Sequence, residues 1–429
     1  MSETRRDVII LPNGTRIAFD PMPHLRTASV GVWLGAGARH EAEDRNGLAH
    51  FLEHMAFKGA ANRSAREIAE VVEARGAVMN AATDYERTSY FVRCLHDDAP
   101  QMLDVALSLV FAPDHPKDEI AREKAVVLQE IGEASDQPDD LVMELAQTLN
   151  FPNHPLGRPV LGSEKTLKRV TRDDLFGFAA TNYAPSRAVV SVAGSFDRAA
   201  VEAIARKWLE PRTAIAAPVH FPVTPSFGDW ANSGRSQTAN AARDLEQCHL
   251  VLSRHAPSAL SDQRHAARLF AEIFGGGMAS RLFQQVREEK GLAYTIDASC
   301  DMYSDAGRLS VYAGCAAEDA VEVAKITAGI WSDLAANGVT AQELDRAKAV
   351  MKAQLAMGAE APAARAGSAA YELLSFERLV PLEETLAALD AVTLADVQLI
   401  AATSLSGPAT AAAVGPKSGL SGAEAFLTS

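Results

Sequence analysis

Gly47-Leu-Ala-His-Phe-Leu-Glu-His-Met-Ala-Phe-Lys-Gly59 is the stretch from which the fold and chemistry of this chain can first be inferred. Its pattern predicts a single helix, with Asn46 available as the N-cap and Gly59 as the stop. His50 and His54 then lie four residues apart, so both imidazoles share one face of the helix. That spacing suits two ligands of a tetrahedral metal ion.

Glu53 lies one turn beyond His50 and next to His54, so its carboxylate can reach the same space. The pattern is His-x-x-Glu-His, the reverse of the commoner His-Glu-x-x-His, and both orders place a base beside a zinc-bound water. The neighbouring Leu, Ala, Phe and Met residues give no structural reason for two histidines and a glutamate on one apolar segment. The segment therefore predicts a metal site with Glu53 as general base.

A third ligand is required, and carboxylates are usual in hydrolytic zinc sites, where the fourth position is left to water. The helical pattern from Lys117 to Glu133 offers three of them. Glu123 and Glu130 are two turns apart on one face, and Glu133 continues that face. Spacing alone does not choose among the three.

An internal repeat extends the interpretation to the whole chain, because one segment recurs about 224 positions later. Residues 118–130 (DEIAREKAVVLQE) align with residues 342–354 (QELDRAKAVMKAQ), and residues 170–175 (VTRDDL) align with residues 392–397 (VTLADV) at nearly the same offset. Two matches in the same order predict duplication of a whole domain.

The predicted domains are residues 1–212 and 241–429, joined by a linker at 213–240. The linker contains several Pro and Gly residues and shows no sustained periodicity of a helix or a strand. Each half interleaves β-rich runs with long helical patterns. The β-rich runs are residues 29–34, 88–95, 188–192, 249–253 and 308–312, and the helical patterns include 64–75, 117–133, 319–337 and 341–357. This mixture predicts an α+β domain that occurs twice.

The second half lacks the metal-binding residues of the first. The positions that match Glu123 and Glu130 are Ala347 and Gln354, and His265 stands alone, without a second histidine at helical spacing. The repeated helix has kept its pattern without its carboxylates. Only the first half is therefore expected to bind a metal.

The overall composition restricts the class of partner. The chain has 55 acidic and 41 basic residues, a formal charge of −14, which disfavours nucleic acid and anionic membranes. Its first residues lack an apolar stretch of the secretory type, and no segment approaches membrane-spanning length, so a cytoplasmic location is expected. The four cysteines are far apart, and reduced, buried thiols are expected.

With these motifs in place, the sequence resembles the M16 metallopeptidase family, the group of pitrilysin, insulin-degrading enzyme and the mitochondrial processing peptidase, and most closely its short bacterial members. The resemblance covers nearly the whole chain. It rests on residues 47–59, 80–83 with Thr88 and Tyr90, 123–130, 154–162, and 275–283 leading into 287–294. It implies two tandem homologous M16/LuxS-like domains, each a mixed, largely antiparallel sheet packed with helices.

The resemblance also implies roles for residues that spacing leaves open. The family pattern assigns Glu130 to the metal and Glu123 to the second shell, where a carboxylate orients a ligand imidazole. Arg287 and Tyr294 match a pair in the metal-free half that approaches the bound peptide and can hold its carbonyl oxygen. Taken alone, these two residues would be read as surface and packing residues.

Three more residues match substrate-binding positions of the family. Asn80 and Ala81 match the edge strand on which family members bind an extended substrate by strand addition. Phe57 matches a position that lines a pocket beside the scissile bond, and a core phenylalanine is an equally good interpretation of this residue.

The implied function is a zinc-dependent metalloendopeptidase with one Zn²⁺ per chain, held by His50, His54 and Glu130, which hydrolyses unfolded peptides or extended segments through a zinc-activated water. A homodimer is expected, because both halves of the family's site occur on one chain, and a heterodimer with a related subunit is the alternative. One alternative function is a non-catalytic core or assembly subunit of the same fold. Another is a zinc-binding, chaperone-like module that binds metal without turnover.

Overall fold

A computed structural model describes residues 6–213 and 236–429 of the chain. The predicted linker at 213–240 lies mostly outside these residues. The chain divides into two compact units, and neither is one continuous segment. The first consists of Met1–Gly132, Arg158–His220 and Ala356–Val380, and the second of Glu133–Gly157, Phe221–Leu355 and Pro381–Ser429.

The secondary structure alternates helices and strands in both halves, as the sequence patterns predict. The strands are β1 Asp7–Ile10, β2 Arg16–Pro21, β3 Thr27–Leu34, β4 Gly59–Ala60, β5 Arg63–Ser64, β6 Val78–Thr83, β7 Thr88–Leu95, β8 Ala188–Gly194, β9 Gln237–Ala242, β10 Gln247–Ala256, β11 Ala293–Met302, β12 Gly307–Ala316 and β13 Ala409–Gly415.

The α-helices carry labels in chain order. They are α1 Leu48–Ala56, α2 Ala65–Glu73, α3 Ala99–Phe111, α4 Lys117–Asp136, α5 Pro138–Asn150, α6 Glu164–Leu167, α7 Arg172–Asn182, α8 Arg198–Leu209, α9 Arg264–Ala271, α10 Ala320–Asn337, α11 Ala341–Gly358, α12 Pro362–Phe376, α13 Leu382–Ala391, α14 Leu394–Ser406 and α15 Ser421–Thr428. Two π-helices, Glu272–Gly276 and Phe283–Glu289, and short 3₁₀ turns complete the described elements.

The first unit is built on a sheet with the strand order β1-β2-β8-β3-β7-β6. Strand β8 reads Ala-Val-Val-Ser-Val-Ala-Gly and is buried along its whole length, as expected of a central strand covered on both faces. All strand pairs in this sheet are antiparallel except the pair of β2 with β8, which is parallel. Strand β6 forms one edge of this sheet and pairs with β7.

The second unit repeats this arrangement with the order β11-β12-β10-β13-β9. The pair of β13 with β9 is parallel, like that of β2 with β8, and the remaining pairs are antiparallel. Edge strand β11 therefore occupies the place in this sheet that β6 occupies in the first. The predicted fold class, two tandem α+β domains with mixed and largely antiparallel sheets, is confirmed.

Each unit takes a helix from the other half of the sequence. Helix α12 contributes Ala369, Ala370 and Leu373 to a cluster with Val189 of the first sheet, and Arg365 forms an ion pair with the buried Asp20. Helix α5 contributes Val142 and Ala146 to a cluster on the second sheet. The predicted boundaries at 1–212 and 241–429 follow the repeats in the sequence. The compact units differ from them, because Ala356–Val380 belongs to the first unit and Glu133–Gly157 to the second.

The predicted duplication is also visible in individual contacts. Lys124 Nζ donates hydrogen bonds to the carbonyl oxygens of Lys168 and Val170, at 3.2 Å and 2.5 Å. Lys348 Nζ donates to those of Asp390 and Val392, at 2.9 Å and 2.6 Å. Helices α7 and α14 then begin with the same capping box, in which a threonine and an aspartate three residues later bond to each other's backbone N–H.

Among the described residues no single helix has both the length and the apolar composition needed to cross a membrane. One pair, Leu382–Ala391 and Leu394–Ser406, meets these criteria only when its two members are taken together across a bend of 80°.

Candidate metal centre

Helix α1 begins at Leu48, and the predicted N-cap at Asn46 is wrong. The buried carboxylate of Glu41 caps the helix instead and accepts hydrogen bonds from the backbone N–H groups of Gly47 and Ala49, at 2.8 Å and 2.6 Å. The Asn46 side chain also donates to Glu41, at 2.8 Å. Burial raises the pKa of Glu41 to about 7, although these donors act in the opposite direction. The cap anchors the turn that precedes His50.

Gly47 is required at this helix start for a conformational reason. Its φ of 92° lies in the left-handed region, and a Cβ atom would approach the carbonyl oxygen of Leu161 to 2.6 Å. A side chain is thus excluded both by the backbone conformation and by the neighbouring loop. The close approach holds the start of α1 against residues 161–162.

His50, His54 and Glu130 form the candidate metal centre, and one ligand atom from each lies within 4.8 Å of the others. Glu130 Oε2 is 3.9 Å from His50 Nε2 and 3.5 Å from His54 Nε2. This oxygen is buried and has no hydrogen-bond partner. An unpaired buried carboxylate oxygen is costly, and a cation shared with the two imidazoles would remove that cost.

The electrostatics of His50 also suit a ligand. Burial, with a smaller contribution from the neighbouring His54, lowers the pKa of His50 to about 4. His50 is therefore neutral near pH 7, which is the form that binds metal ions. The three side chains fit zinc, which accepts two imidazoles and one carboxylate and leaves a fourth position open.

Glu53 is held beside this group by Thr83, a residue to which the sequence pattern gives no role. The hydroxyl of Thr83, the last residue of β6, donates to Glu53 Oε2 at 2.5 Å. Burial raises the pKa of Glu53, and the Thr83 hydrogen bond acts in the opposite direction. A carboxylate with a raised pKa takes up a proton more readily than one in water, which suits a general base.

The other two candidate carboxylates on α4 lie outside the group of three. Glu123 Oε1 is 2.9 Å from His54 Nδ1, the ring nitrogen that faces away from Glu130, and Glu123 Oε2 is 2.6 Å from Lys58 Nζ. Glu133 is not part of the group, and it falls in the segment assigned to the second compact unit.

The three residues matched to substrate binding lie on the first unit. Asn80 and Ala81 are in edge strand β6, with Asn80 exposed and Ala81 half-buried. Phe57 follows α1, packs against the core and has its ring centroid 6.2 Å from that of Tyr90. It also lines an apolar cavity of about 520 Å³ between α2 and β6, to which Met79 contributes as well. Core packing and pocket lining are thus both present at Phe57.

Arg287 and Tyr294 lie close together on the second unit. The Arg287 guanidinium carbon is 4.7 Å from the centroid of the Tyr294 ring and 4.7 Å from that of the Phe283 ring. The guanidinium therefore makes cation–π contacts with both rings. The Tyr294 side chain is 76% exposed, so this cluster is open to solvent.

Sequence reasoning did not assign roles to Glu41, Lys58, Thr83 or Phe283. Thr83 and Lys58 both lie within the family motifs, but their contacts with Glu53 and Glu123 depend on how β6 and α4 pack against α1. Phe283 lies four residues before Arg287, a helical spacing that could have indicated the ring contact.

Comparison with known proteins supplies the family. The family model described as Insulinase (Peptidase family M16) matches residues 16–164, and the model described as Peptidase M16 inactive domain matches residues 169–351. A Mycobacterium tuberculosis protein named an uncharacterized zinc protease is 35% identical over 406 residues, 95% of this chain and 92% of its own length. The chain belongs to peptidase family M16.

Other M16 relatives agree with this assignment. The uncharacterized zinc protease YmxG of Bacillus subtilis is 33% identical over 389 residues, 91% of this chain and 93% of its own length. Two solved structures share the fold. A Pseudomonas fluorescens structure described as a peptidase M16 inactive domain has a TM-score of 0.87 and 21% identity, covering 96% of this chain and 98% of that one. A Helicobacter pylori protease has a TM-score of 0.85 and 22% identity, covering 96% and 100%.

Proposed function

We propose that this M16 chain is a zinc-dependent endopeptidase that hydrolyses unfolded peptides or extended segments, with one Zn²⁺ per chain. The observation that carries the proposal is the buried, unpaired Glu130 Oε2, which faces Nε2 of both His50 and His54. Relatives that are 33% and 35% identical are named zinc proteases, which supports the same metal.

His50, His54 and Glu130 would hold the zinc ion. When bound, zinc supplies a Lewis acid that polarises the peptide carbonyl and lowers the pKa of water. Thr83 engages Glu53 Oε2, which leaves Oε1 to receive the proton of the attacking water. Glu53 then passes that proton to the departing amine, so the one carboxylate serves first as base and afterwards as acid.

Peptide binding is assigned to the exposed edge of β6, with Asn80 and Ala81 pairing with the substrate backbone. Recognition of backbone favours extended chains of varied sequence. The cavity at Phe57 would take an apolar substrate side chain. Arg287 and Tyr294 carry donors that can bind the carbonyl oxygen of the scissile bond and the oxyanion formed from it.

A homodimer is part of the proposal, because the zinc residues and the Arg287 and Tyr294 pair occur on one chain. A heterodimer with a related subunit is the alternative. An active protein that stays monomeric in sedimentation at working concentration would contradict both.

The second candidate function is a non-catalytic subunit of the same fold. The model that matches residues 169–351 is described as an inactive domain, and the corresponding half has Ala347 and Gln354 in place of the two glutamates. The first half retains its two histidines and both glutamates, which favours the peptidase.

The test is hydrolysis of a mixture of unstructured peptides, followed by mass spectrometry. Wild type and Glu53→Gln are each assayed in three states: as purified, after removal of zinc with a chelator, and after zinc is returned. The expected loss in Glu53→Gln is about 10²–10⁴-fold, with zinc still bound, because this is what general acid–base catalysis contributes. Full activity in that variant would contradict the assigned base. Bound zinc without cleavage by wild type would favour the non-catalytic subunit.

A further inference from the structure

Glu123 lies between one of the proposed zinc ligands and a lysine. Its side chain is only 6% exposed. Oε1 is 2.9 Å from His54 Nδ1, and Oε2 is 2.6 Å from Lys58 Nζ. Both oxygens of this nearly buried carboxylate are therefore engaged, each with a different partner.

The Glu123 contact determines where His54 carries its proton. A carboxylate accepts, so the proton of the neutral imidazole lies on Nδ1 and Nε2 keeps its lone pair. Nε2 is the nitrogen 3.5 Å from Glu130 Oε2, on the side of the candidate metal. With Lys58 on Oε2, Oε1 is the oxygen directed at the imidazole, so Lys58 limits how the carboxylate can rotate.

Lys58 is also well placed to join the two helices of the site. It follows α1 by two residues, and its backbone N–H donates to the carbonyl oxygen of Met55 at 3.3 Å. Glu123 belongs to α4, two turns before Glu130. The ion pair therefore links the segment with both histidines to the helix with the carboxylate ligand.

We propose that Lys58 is a positioning residue of the metal centre, which acts through Glu123 to fix the tautomer and orientation of His54. This inference rests on the proposed zinc site. The alternative is an ion pair that stabilises the fold and has no specific effect on the metal. In that case Lys58→Met would lower the thermal stability of the metal-free protein and leave its zinc affinity at the wild-type value.

A double-mutant cycle on zinc affinity separates these two cases. Zinc affinity is measured by competition with a chromophoric chelator for wild type, Lys58→Met, Glu123→Ala and the double variant. Lys58→Arg tests rescue by a retained charge, and Lys168→Met removes an exposed ion pair with Glu164 as the matched control. Thermal unfolding of the metal-free proteins reports the general effect on stability.

We expect Lys58→Met to weaken zinc binding about tenfold, at the lower end of the 10–100-fold range for outer-shell partners. The same substitution in the Glu123→Ala background should change affinity less than about twofold, Lys58→Arg should recover most of the loss, and Lys168→Met should match wild type. Equal losses in both backgrounds, or wild-type affinity in Lys58→Met, would overturn the inference while leaving the zinc site intact. A wild type that binds no zinc would overturn the proposed function and this inference together.

A second readout needs neither zinc nor the Glu123→Ala protein. The ¹⁵N chemical shifts of the His54 ring in the metal-free protein report which nitrogen carries the proton. Wild type should have the proton on Nδ1, and Lys58→Met should show a mixture of tautomers. An unchanged Nδ1-protonated ring in Lys58→Met would contradict the role assigned to the lysine.

Discussion

Helices α4 and α11 have similar sequences and the same anchoring contacts, but they differ in the residues that bear on metal binding. Lys124 and Lys348 each bond to two carbonyl oxygens at the turn before a capped helix. Glu123 and Glu130 lie seven residues apart on α4, where Glu123 contacts His54 Nδ1 and Glu130 faces His54 Nε2. The matching residues of α11 are Ala347 and Gln354. The contacts that build the domain and those that build the site are carried by different residues.

This separation means that the fold by itself does not indicate catalysis. The second sheet repeats the order and the directions of five of the six strands of the first, and the described residues of that unit contain no comparable group of His, Cys and carboxylate ligands. A few side chains on a shared scaffold therefore account for the proposed difference in function.

The largest expected effect is on zinc binding, at one of the two positions where α4 and α11 differ in a carboxylate. Glu130→Ala should lower zinc affinity more than about a hundredfold, because a ligand is lost and outer-shell changes alone cost about 10–100-fold. Gln354→Ala, at the matching position, should leave it unchanged. Chelator competition measures the zinc affinity of both variants. Equal losses of affinity in the two would contradict the assignment of the metal ligand to α4.

Much of this contrast could be predicted from the sequence. Helix α1, the pairing of His50 with His54 and the repeat follow from patterns of local spacing and self-similarity, whereas the choice of Glu130 among three carboxylates rests on the resemblance to family M16. The exchange of α5 and α12 could not be predicted in this way, because it depends on which sheet each helix covers. The same is true of the Glu41 cap, since this carboxylate lies six positions before the first N–H it binds and outside the usual N-cap position.

The shared anchoring lysines should contribute equally to stability. Lys124→Met and Lys348→Met each remove two charged hydrogen bonds to backbone carbonyls, and each should lower the free energy of unfolding by about 1.5–3 kcal/mol. Urea denaturation of both variants in the metal-free state measures this. A difference of more than about 1 kcal/mol between them would contradict an equivalent scaffold.

A smaller effect is expected at the ends of the edge strands. Thr83 is the last residue of β6 and Met302 the last of β11, and Thr83 donates to Glu53. Thr83→Val should lower kcat about tenfold with zinc affinity unchanged, since a hydrogen bond that orients the base is worth about 1.4 kcal/mol. Steady-state kinetics on Thr83→Val and Met302→Val provides the test. Wild-type kcat in Thr83→Val would remove Thr83 from the site.

The smallest expected effect is at the paired helix caps. Thr171→Ala and Thr393→Ala each remove the side-chain cap of α7 or α14 and should cost about 1 kcal/mol of stability. Catalytic activity per folded molecule should not change in either variant. Thermal unfolding of both proteins measures the loss, and a lowered kcat in the folded Thr171→Ala protein would mean that this cap also shapes the site.

The central claim is that one half of this M16 chain holds the zinc ion, and anomalous X-ray scattering at the zinc absorption edge tests it most directly. Crystals of the Glu53→Gln protein with zinc should give one anomalous peak per chain, within bonding distance of His50, His54 and Glu130. A stoichiometric peak elsewhere in the chain, with none at these three residues, would contradict the account.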